Sequence, residues 1–287
     1  MARDYTTTQH DRLVITADDF GLAREVNAAV EIAHRDGVLT AASLMVGEAA
    51  AADAIELARR LPALRVGLHV ALVDARPVLP ASEIPRLVGA DGRLRSDMVG
   101  LAAQLAASTA ARRQMRAEIE AQFAAFAATG LPLDHVNAHA HYHLNPIVGA
   151  MLLDVGRRFG MRALRVPREP SRLLAQIAPG GRSPAPAVEP LLAAWLASRA
   201  RRRRLTIPDH VFGLRWSGAM HADRLAGILR RLPPGLVEIY LHPATAGGFE
   251  GAAPGYRYAD ELAALVDPAC VAAVSAGCHA TGGYADA

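Results

Sequence analysis

Short apolar runs alternate with longer amphipathic segments along most of the chain. Runs with the length and composition of buried strands occur at 12–17, 38–46, 64–73, 133–139, 162–166, 235–242 and 270–276. Segments with helical periodicity occur at 23–36, 49–60, 111–130, 146–159 and 257–266. Strands that alternate with helices predict right-handed crossovers and a parallel sheet. We therefore expect an α/β fold, and within it a distorted (β/α) barrel of the TIM type.

An open, doubly wound sheet is the competing architecture. It is disfavoured because the turn after the first strand, at 16–21, lacks the glycine pattern GxGxxG. In a (β/α) barrel the catalytic side chains lie at the C-terminal ends of the strands. Those strand ends are therefore the positions at which we expect the functional residues.

Two segments interrupt the alternation of strands and helices. Residues 74–97 are rich in Pro, Gly and Asp and predict a long loop over one end of the fold. Residues 171–210 contain APGGRSPAPAVEP, which predicts an insertion or flexible connector. The arginine run at 199–204 is typical of a solvated helix end, and a contact with anionic lipid headgroups is its alternative reading. We expect one domain over 1–287 that carries both insertions.

The composition excludes several classes of function. Apolar residues make up 52% of the chain, which is enough for a packed core. With 31 basic and 28 acidic side chains, the net charge of +3 does not predict nucleic-acid binding. The 287 residues include no lysine, which excludes Schiff-base and P-loop chemistry, and no GxSxG serine elbow.

The sequence also bounds the cellular setting. Cys270 and Cys278 are too few for a disulfide framework, and we expect buried thiols without an assigned role. The first twelve residues contain no apolar leader, and the chain has no membrane-spanning apolar run. We therefore expect a cytoplasmic protein. Peripheral contact with the inner membrane through 199–204 and a homodimer stay open.

Four histidines lie within nine residues of the segment HVNAHAHYHLNP, at 135–146. In extended backbone every second residue shares one face, here His135, Asn137, His139, His141 and His143. Five polar side chains are too many for a barrel interior, so we expect the strand to end near His139. His139 then lies at the mouth, and we expect Asn137, His141 and His143 to be substrate or supporting contacts.

Asp18 and Asp19 follow the first predicted strand and repel each other unless a cation lies nearby. Together with His69 and His139, Asp19 would supply the carboxylate and two imidazoles of a hydrolytic metal site with a place for water. Asp18 could then act as a general base. A helix cap for the aspartates and a core position for His69 are the alternatives. We expect one divalent ion at this site. The two imidazoles favour Zn, Co or Ni, and Mg stays open as an alternative.

Two further residues suit an acyl-transfer site. His242 follows the predicted strand at 235–242 and could donate a proton to a leaving amine, unless it is an ordinary strand-end histidine. Arg165 lies in the predicted strand at 162–166, where its guanidinium could fix the carboxylate of Asp18. A structural salt bridge is the alternative for Arg165.

The motifs TADDFG, GLH, HVNAHAHYH and LHPA occur in this order over nearly the full chain. They resemble the YdjC-like (ChbG) carbohydrate deacetylases, metal-dependent enzymes on a distorted (β/α) barrel that remove N-acetyl groups from amino sugars. The resemblance implies that Asp19, His69 and His139 bind the metal, that Asp18 is the base and that His242 is the acid. One departure is Asn137-Ala138-His139, where chitooligosaccharide-type members tend to carry Asp-Ser-His.

Other stretches, such as AHRDGVLTAASLMV and GLPLDHVNAH, resemble the hopanoid-biosynthesis-associated branch of that family. This resemblance implies deacetylation of an N-acetylglucosaminyl group on a bacteriohopanetetrol lipid. A chitooligosaccharide deacetylase, a metal-dependent phosphoesterase or amidohydrolase, and a non-catalytic sugar- or lipid-binding protein are the alternatives. In the non-catalytic case a fourth protein ligand, with His141 as the candidate, would close a structural metal site.

Overall fold

A computed structural model describes residues 11–178 and 189–286 of the chain. Its strands are β1 (Arg12–Phe20), β2 (Ala41–Leu44), β3 (Arg65–Val70), β4 (Val136–Ala138), β5 (His210–Phe212), β6 (Leu236–Leu241) and β7 (Ala280–Thr281). Its helices are α1 (Arg24–Asp36), α2 (Ala51–Arg60), α3 (Met98–Ala107), α4 (Thr109–Ala128), α5 (Pro146–Arg158), α6 (Ser171–Ile177), α7 (Glu189–Arg202), α8 (Ala222–Leu229), α9 (Tyr258–Leu265) and α10 (Pro268–Ala276). Two 3₁₀ turns cover His139–Leu144 and Tyr284–Asp286.

The paired strands run parallel in the order β4-β3-β2-β1-β6-β5, and β7 pairs with the beginning of β1. Single parallel bridges join Val136 to Leu164 and Ala163 to Thr206. The chain after Thr206 leads into β5, and the N–H of Val211 donates to the carbonyl of Arg168 at 3.1 Å. These contacts complete a ring of strands, so the expected distorted (β/α) barrel is confirmed.

Side chains alternate along each strand between the helical layer outside and the barrel interior. Leu13, Ile15 and Ala17 of β1 belong to the main hydrophobic core under the helices. The side chains on the opposite face of the strands meet inside the barrel. Toward the C-terminal ends of the strands, this interior is polar. Its fully or nearly buried members are Thr16, Asp18, Ser43, His69, Asn137, Arg165 and Glu238. Toward the N-terminal ends of the strands, at the bottom of the barrel, the interior is a small apolar cluster of Val14, Ala41, Ala163, Leu236 and Tyr284.

The strand predicted at 270–276 is wrong, because these residues belong to α10. The carboxylate of Asp267 accepts the N–H groups of Ala269 and Cys270 at 2.8 and 3.2 Å, and Pro268 occupies the first turn of the helix. This capping pattern determines the outcome, since a short apolar run alone fits a strand or a helix. Cys270 is buried as expected, whereas Cys278 is exposed.

The segment at 74–97 is a loop, as predicted, whereas the insertion at 171–210 contains more helix than the sequence pattern predicts. After the loop beginning at 74, residues 98–107 form α3, and the described parts of 171–210 are largely α6 and α7. Leu196 and Ala200 bury one face of α7 against the core. Most of the proline- and glycine-rich stretch predicted as a flexible connector falls at 179–188, outside the described residues. No helix within the described ranges is both long and apolar enough to span a bilayer.

Candidate metal centre and active site

Asp18 and Asp19 end up on the same side of the sheet although they are adjacent in β1. Strand alternation would point them to opposite faces. The pairing of β1 with β2 shifts register between Ala17 and Phe20, and Asp19 adopts a left-handed φ of 63°. Aspartate tolerates this conformation better than most residues, and a bulge of this kind re-aims a side chain. Both carboxylates therefore face the barrel mouth, where they line the same cavity.

His69 is oriented by the strand beside it. It lies opposite Asn137 in the parallel pairing of β3 and β4, and its Nδ1 is 2.7 Å from Oδ1 of Asn137. The amide nitrogen of Asn137 donates to Asp18 Oδ1 and to Ser43 Oγ, both at 3.1 Å. The amide oxygen is thus left to accept the Nδ1–H of His69, and Nε2 of His69 carries a free lone pair.

His139 begins the 3₁₀ turn that follows β4, so the expected end of the strand near His139 is confirmed. Its Nδ1 lies 3.1 Å from Asp19 Oδ1 and 3.4 Å from His69 Nε2. His69 Nε2 is in turn 3.3 Å from the same Asp19 oxygen. Within the described part of the chain, these three residues form the one group of potential ligands of this kind.

The donor set fits a divalent cation. Ligand atoms of a tetrahedral zinc site with bonds of roughly 2.0–2.1 Å lie about 3.3–3.4 Å apart, close to the separations of Asp19, His69 and His139. Three lone-pair atoms that face one another repel unless a positive charge lies among them. His141 does not complete the group, because its ring nitrogens are not among the ligand atoms that lie within 4.8 Å of one another, and its Nε2 lies 3.0 Å from the hydroxyl of Tyr240.

The carboxylate of Asp19 and the imidazole of His139 shift each other's pKa. Burial alone would raise the pKa of Asp19, but His139 and His69 outweigh it and hold the pKa well below its usual range. Burial alone would lower the pKa of His139, but the Asp19 carboxylate outweighs burial and raises it. The Asp19 carboxylate is therefore ionised, as a metal ligand must be, whereas the raised pKa of His139 means that a proton competes with a cation for this imidazole.

Asp18 is held from below by a buried guanidinium. Arg165 donates from Nη1 to Asp18 Oδ2 at 2.5 Å and from Nη2 to Asp18 Oδ1 at 2.9 Å. Burial alone would raise the pKa of Asp18, yet Arg165 outweighs it and holds the pKa well below its usual range. Arg165 also forms a two-point contact with Glu238, at 2.8 and 2.7 Å. Arg165 therefore both fixes Asp18 and belongs to a structural ion pair, so the two alternatives for it coexist.

His242 follows β6 directly and lines the same cavity as the aspartates. Its backbone N–H donates to Glu261 Oε2 at 2.5 Å, and its Nδ1 lies 4.0 Å from that oxygen. The rings of Tyr240 and Tyr256 lie against the imidazole, with centroids 5.7 and 5.1 Å away. Burial raises the pKa of Glu261. The arrangement leaves His242 at the cavity wall with its backbone anchored.

The three predicted substrate contacts are placed differently from one another. His141 lines the cavity, with a left-handed φ of 51°. Asn137 and His143 are fully buried, Asn137 among the interior polar groups and His143 with its Nε2 2.9 Å from the carbonyl of Arg165. Burial lowers the pKa of His143 to about 4, so its imidazole is neutral. The structure thus places His141 alone of the three at the cavity surface.

The cavity above the centre has a volume of about 1100 Å³. Its floor is the polar group around Asp18, Asp19 and His69. Apolar residues also line the cavity, namely Pro167, Pro170, Pro190, Ala193, Ala194 and Leu214, and Arg168, Glu169, Glu189 and Arg215 line it beside them in the chain. The lining above the polar floor therefore combines apolar and charged side chains.

The arginine run lies at the other end of the barrel from this cavity. The beginning of α7 lines the cavity through Ala193 and Ala194. From Ala193 to Arg202 the helix rises about 14 Å at 1.5 Å per residue. The bridge from Thr206 to Ala163 marks where the chain then re-enters the ring at the N-terminal ends of the strands. The run at 199–204 is thus remote from the mouth.

Sequence reasoning missed Ser43, Glu238 and Tyr240, all of which contact the predicted residues. Ser43 donates to Asp18 Oδ1 at 2.6 Å, and Tyr240 lies under the Arg165 guanidinium, 4.5 Å from ring centre to Cζ. A signal was present in the strand LVEIYLH, because Glu238, Tyr240 and His242 alternate with apolar residues. Polar residues of the same parity as a strand-end histidine share its face and point into the barrel.

Fold and site together define a (β/α)-barrel protein with a candidate metal centre at the mouth of the barrel. A family model described as YdjC-like protein matches residues 12–276. The chain belongs to this family.

Two relatives of the chain are carbohydrate deacetylases by name. A mouse protein named carbohydrate deacetylase is 33% identical over 260 residues, which cover 81% of this chain and 77% of the relative. A carbohydrate deacetylase from Brevibacillus brevis is 34% identical over 148 residues, or 52% of this chain. That second match spans only 56% of the Brevibacillus protein.

A solved structure shares the fold. It comes from Enterococcus faecalis V583, and cleavage of cellobiose phosphate has been suggested for it. The superposition covers 96% of this chain and 98% of the other with a TM-score of 0.75, at 20% sequence identity. At this identity the likeness concerns the fold alone.

Proposed function

We propose that the protein is a metal-dependent carbohydrate N-deacetylase. It hydrolyses the acetamide of an N-acetylated amino sugar and releases acetate and a free amine. The observation that carries the proposal is the meeting of donor atoms from Asp19, His69 and His139, 3.1–3.4 Å apart, beside Asp18 on a cavity floor. The names of the mouse and Brevibacillus relatives support the reaction class.

Asp19, His69 and His139 would hold one divalent ion. When bound, such an ion supplies Lewis-acid polarisation of the acetamide carbonyl and lowers the pKa of a water molecule. Two imidazoles and one carboxylate favour Zn, Co or Ni over Mg by ligand softness. Asn137 contributes by fixing the tautomer of His69.

Asp18 would accept the proton of the attacking water. Its carboxylate stays ionised at neutral pH, because Arg165 holds its pKa low. A carboxylate with so low a pKa is an intrinsically weak base, so its contribution depends on being in place and always ionised. Contacts from Ser43, Asn137 and Arg165 fix both of its oxygens and provide that placement.

His242 would give a proton to the nitrogen of the departing amine. It lines the same cavity as Asp18, and its backbone is held by Glu261. His141 and Tyr240, which are 3.0 Å apart, would contact the sugar from the adjoining wall. Proton removal and proton delivery are thereby assigned to different groups.

The finer proposal is that the sugar is an N-acetylglucosaminyl group on a bacteriohopanetetrol lipid. The lining supports an amphipathic substrate, since it includes apolar residues such as Pro190 and Leu214 besides the polar floor. Leu191, which follows Pro190 in the chain, is 70% exposed. A lipid-linked sugar would place its acetamide at the floor and its apolar part against these apolar residues.

Acetate release from two substrates tests the proposal. Protein loaded with zinc, cobalt or nickel is incubated with N-acetylglucosaminyl bacteriohopanetetrol in detergent and, separately, with diacetylchitobiose. We expect acetate mainly from the hopanoid glycoside, loss of activity on chelation, and its return when metal is added. Release from diacetylchitobiose alone would refute the hopanoid assignment. Binding of either compound without acetate from any metal-loaded sample would refute deacetylation and favour a binding protein.

A further inference from the structure

We propose that Tyr284, at the bottom of the barrel, is a positioning residue for Asp18 that acts through Glu238 and Arg165. The inference rests on the proposed role of Asp18 in hydrolysis. It assigns a part in the reaction to the 3₁₀ turn Tyr284–Asp286, which lies at the opposite end of the barrel from the cavity.

Tyr284 reaches into the barrel from below. It is 1% exposed and packs with Val14, Ala41 and Ala163, whose small side chains leave room for its ring. The backbone N–H groups of Tyr284 and of the next residue donate to Asp134 at 3.1 and 3.0 Å, which anchors the turn. The phenol hydroxyl is thereby delivered to Glu238 Oε2.

Glu238 connects this hydroxyl to Arg165. Each of its two oxygens accepts one hydroxyl and one guanidinium N–H. Oε2 binds Tyr284 and Arg165 Nε, and Oε1 binds Thr16 Oγ1 at 2.8 Å and Arg165 Nη2 at 2.7 Å. The plane of the Glu238 carboxylate, and with it the plane of the guanidinium, is therefore set by Tyr284 and Thr16.

Arg165 passes this orientation to Asp18. The guanidinium is planar: Nε and Nη2 donate to Glu238, and Nη1 and Nη2 donate to both oxygens of Asp18, so the two carboxylates share Nη2. Two carboxylates share one guanidinium in a fully buried place, so they compete for it. Donation from Tyr284 satisfies part of the charge on Glu238. Without that hydroxyl, Glu238 should draw Arg165 toward itself and away from Asp18.

Tyr284→Phe removes the hydroxyl and keeps the ring that fills the barrel. We expect kcat to fall by about 10-fold, because a misplacement of about 1 Å at a reacting group costs up to ~100-fold. KM should not change, since Tyr284 does not line the cavity. Tyr142→Phe is the matched control: its hydroxyl donates to the Met98 carbonyl at 3.2 Å, away from the chain through Glu238. That variant should keep kcat.

Two further measurements separate positioning from folding. In a Glu238→Gln background, Tyr284→Phe should cause no additional loss of kcat, because the hydroxyl acts through the carboxylate. Equal losses in both backgrounds, or an unchanged kcat, would overturn the proposal. Crystal structures of the wild type and of Tyr284→Phe give a readout that does not need activity. A longer contact between Arg165 and Asp18 is expected, and an unchanged contact refutes the relay even if the protein proves not to be a deacetylase.

Discussion

His69 and Asn137 lie directly opposite each other on β3 and β4, with Nδ1 of the imidazole 2.7 Å from Oδ1 of the amide. This pair decides which nitrogen of His69 faces Asp19 and His139. The amide also contacts Asp18, so a single residue orients both a potential metal ligand and the proposed base. Asn137 thus orients His69 and Asp18 from inside the barrel, and it does not lie at the cavity surface, where a substrate contact would be.

Replacing Asn137 by leucine should weaken divalent-ion binding by about 10–100-fold, the usual effect of removing a group that orients a metal-binding histidine. Isothermal titration with Zn²⁺ or Co²⁺ measures the change. Asn137→Asp is the matched control, because it keeps an acceptor for the Nδ1–H of His69 and should retain the affinity. Wild-type affinity in the leucine variant would contradict the orienting role.

Asp18→Asn should bind the metal ion as the wild type does and lose at least ~100-fold in acetate release, the lower range of general base catalysis. Metal content by elemental analysis and kcat by acetate detection are the two readouts. Asp154→Asn, at a surface ion pair with Arg203, should change neither. Near-wild-type turnover in Asp18→Asn would show that another group removes the proton.

Arg165→Met should lower the free energy of unfolding by about 3–5 kcal/mol, because it strands two buried carboxylates without their shared partner. Denaturant titration measures this loss. Arg35→Met removes an exposed ion pair with Glu31 instead and should cost no more than ~0.5 kcal/mol. Similar losses in the two variants would show that the buried pair does not stabilise the barrel in this way.

Acid should destabilise the protein partly through His143. Its pKa is about 4 in the folded protein against 6.5 in the unfolded chain, because burial disfavours the imidazolium. The unfolded chain therefore binds the proton first as pH falls. Stability due to neutral His143 is intact above about pH 6.5 and is lost between about pH 6.5 and about pH 4.

Between about pH 6.5 and about pH 5 the expected loss is about 2 kcal/mol, at about 1.4 kcal/mol per proton and pH unit. Urea midpoints at the two pH values measure it. His143→Gln should reduce the difference by that amount, whereas His34→Gln, a variant outside the barrel interior, should leave it in place. The same pH dependence in His143→Gln would assign the acid sensitivity elsewhere.

Regular alternation in the first half of the chain made the barrel predictable, but the element boundaries were not. The predicted strand at 38–46 shrinks to β2 and that at 64–73 to β3, because apolar loop residues at the strand ends are also buried. The strand β5 was missed since only three residues pair there. Apolarity reports burial, and only hydrogen-bonding partners define where a strand ends.

The candidate ligands were predictable because each of them ends a strand in a short polar motif. The supporting residues were harder to find. Glu261 lies on α9 and reaches His242 only through the fold. Tyr284 is distant in sequence from the Glu238 it contacts. Contacts between residues that are far apart in the chain leave no local pattern, so they emerge only from the structure.

The position of the arginine run constrains how the protein could approach a bilayer. For the proposed lipid-linked substrate, we expect the cavity side with Pro190 and the exposed Leu191 to face the lipid. In that orientation the arginine-bearing C-terminal end of α7 points into bulk water. Attraction of these arginines to acidic phospholipids would therefore hold the molecule in the opposite, unproductive orientation. Raising the ionic strength should therefore not slow turnover of a membrane-embedded substrate.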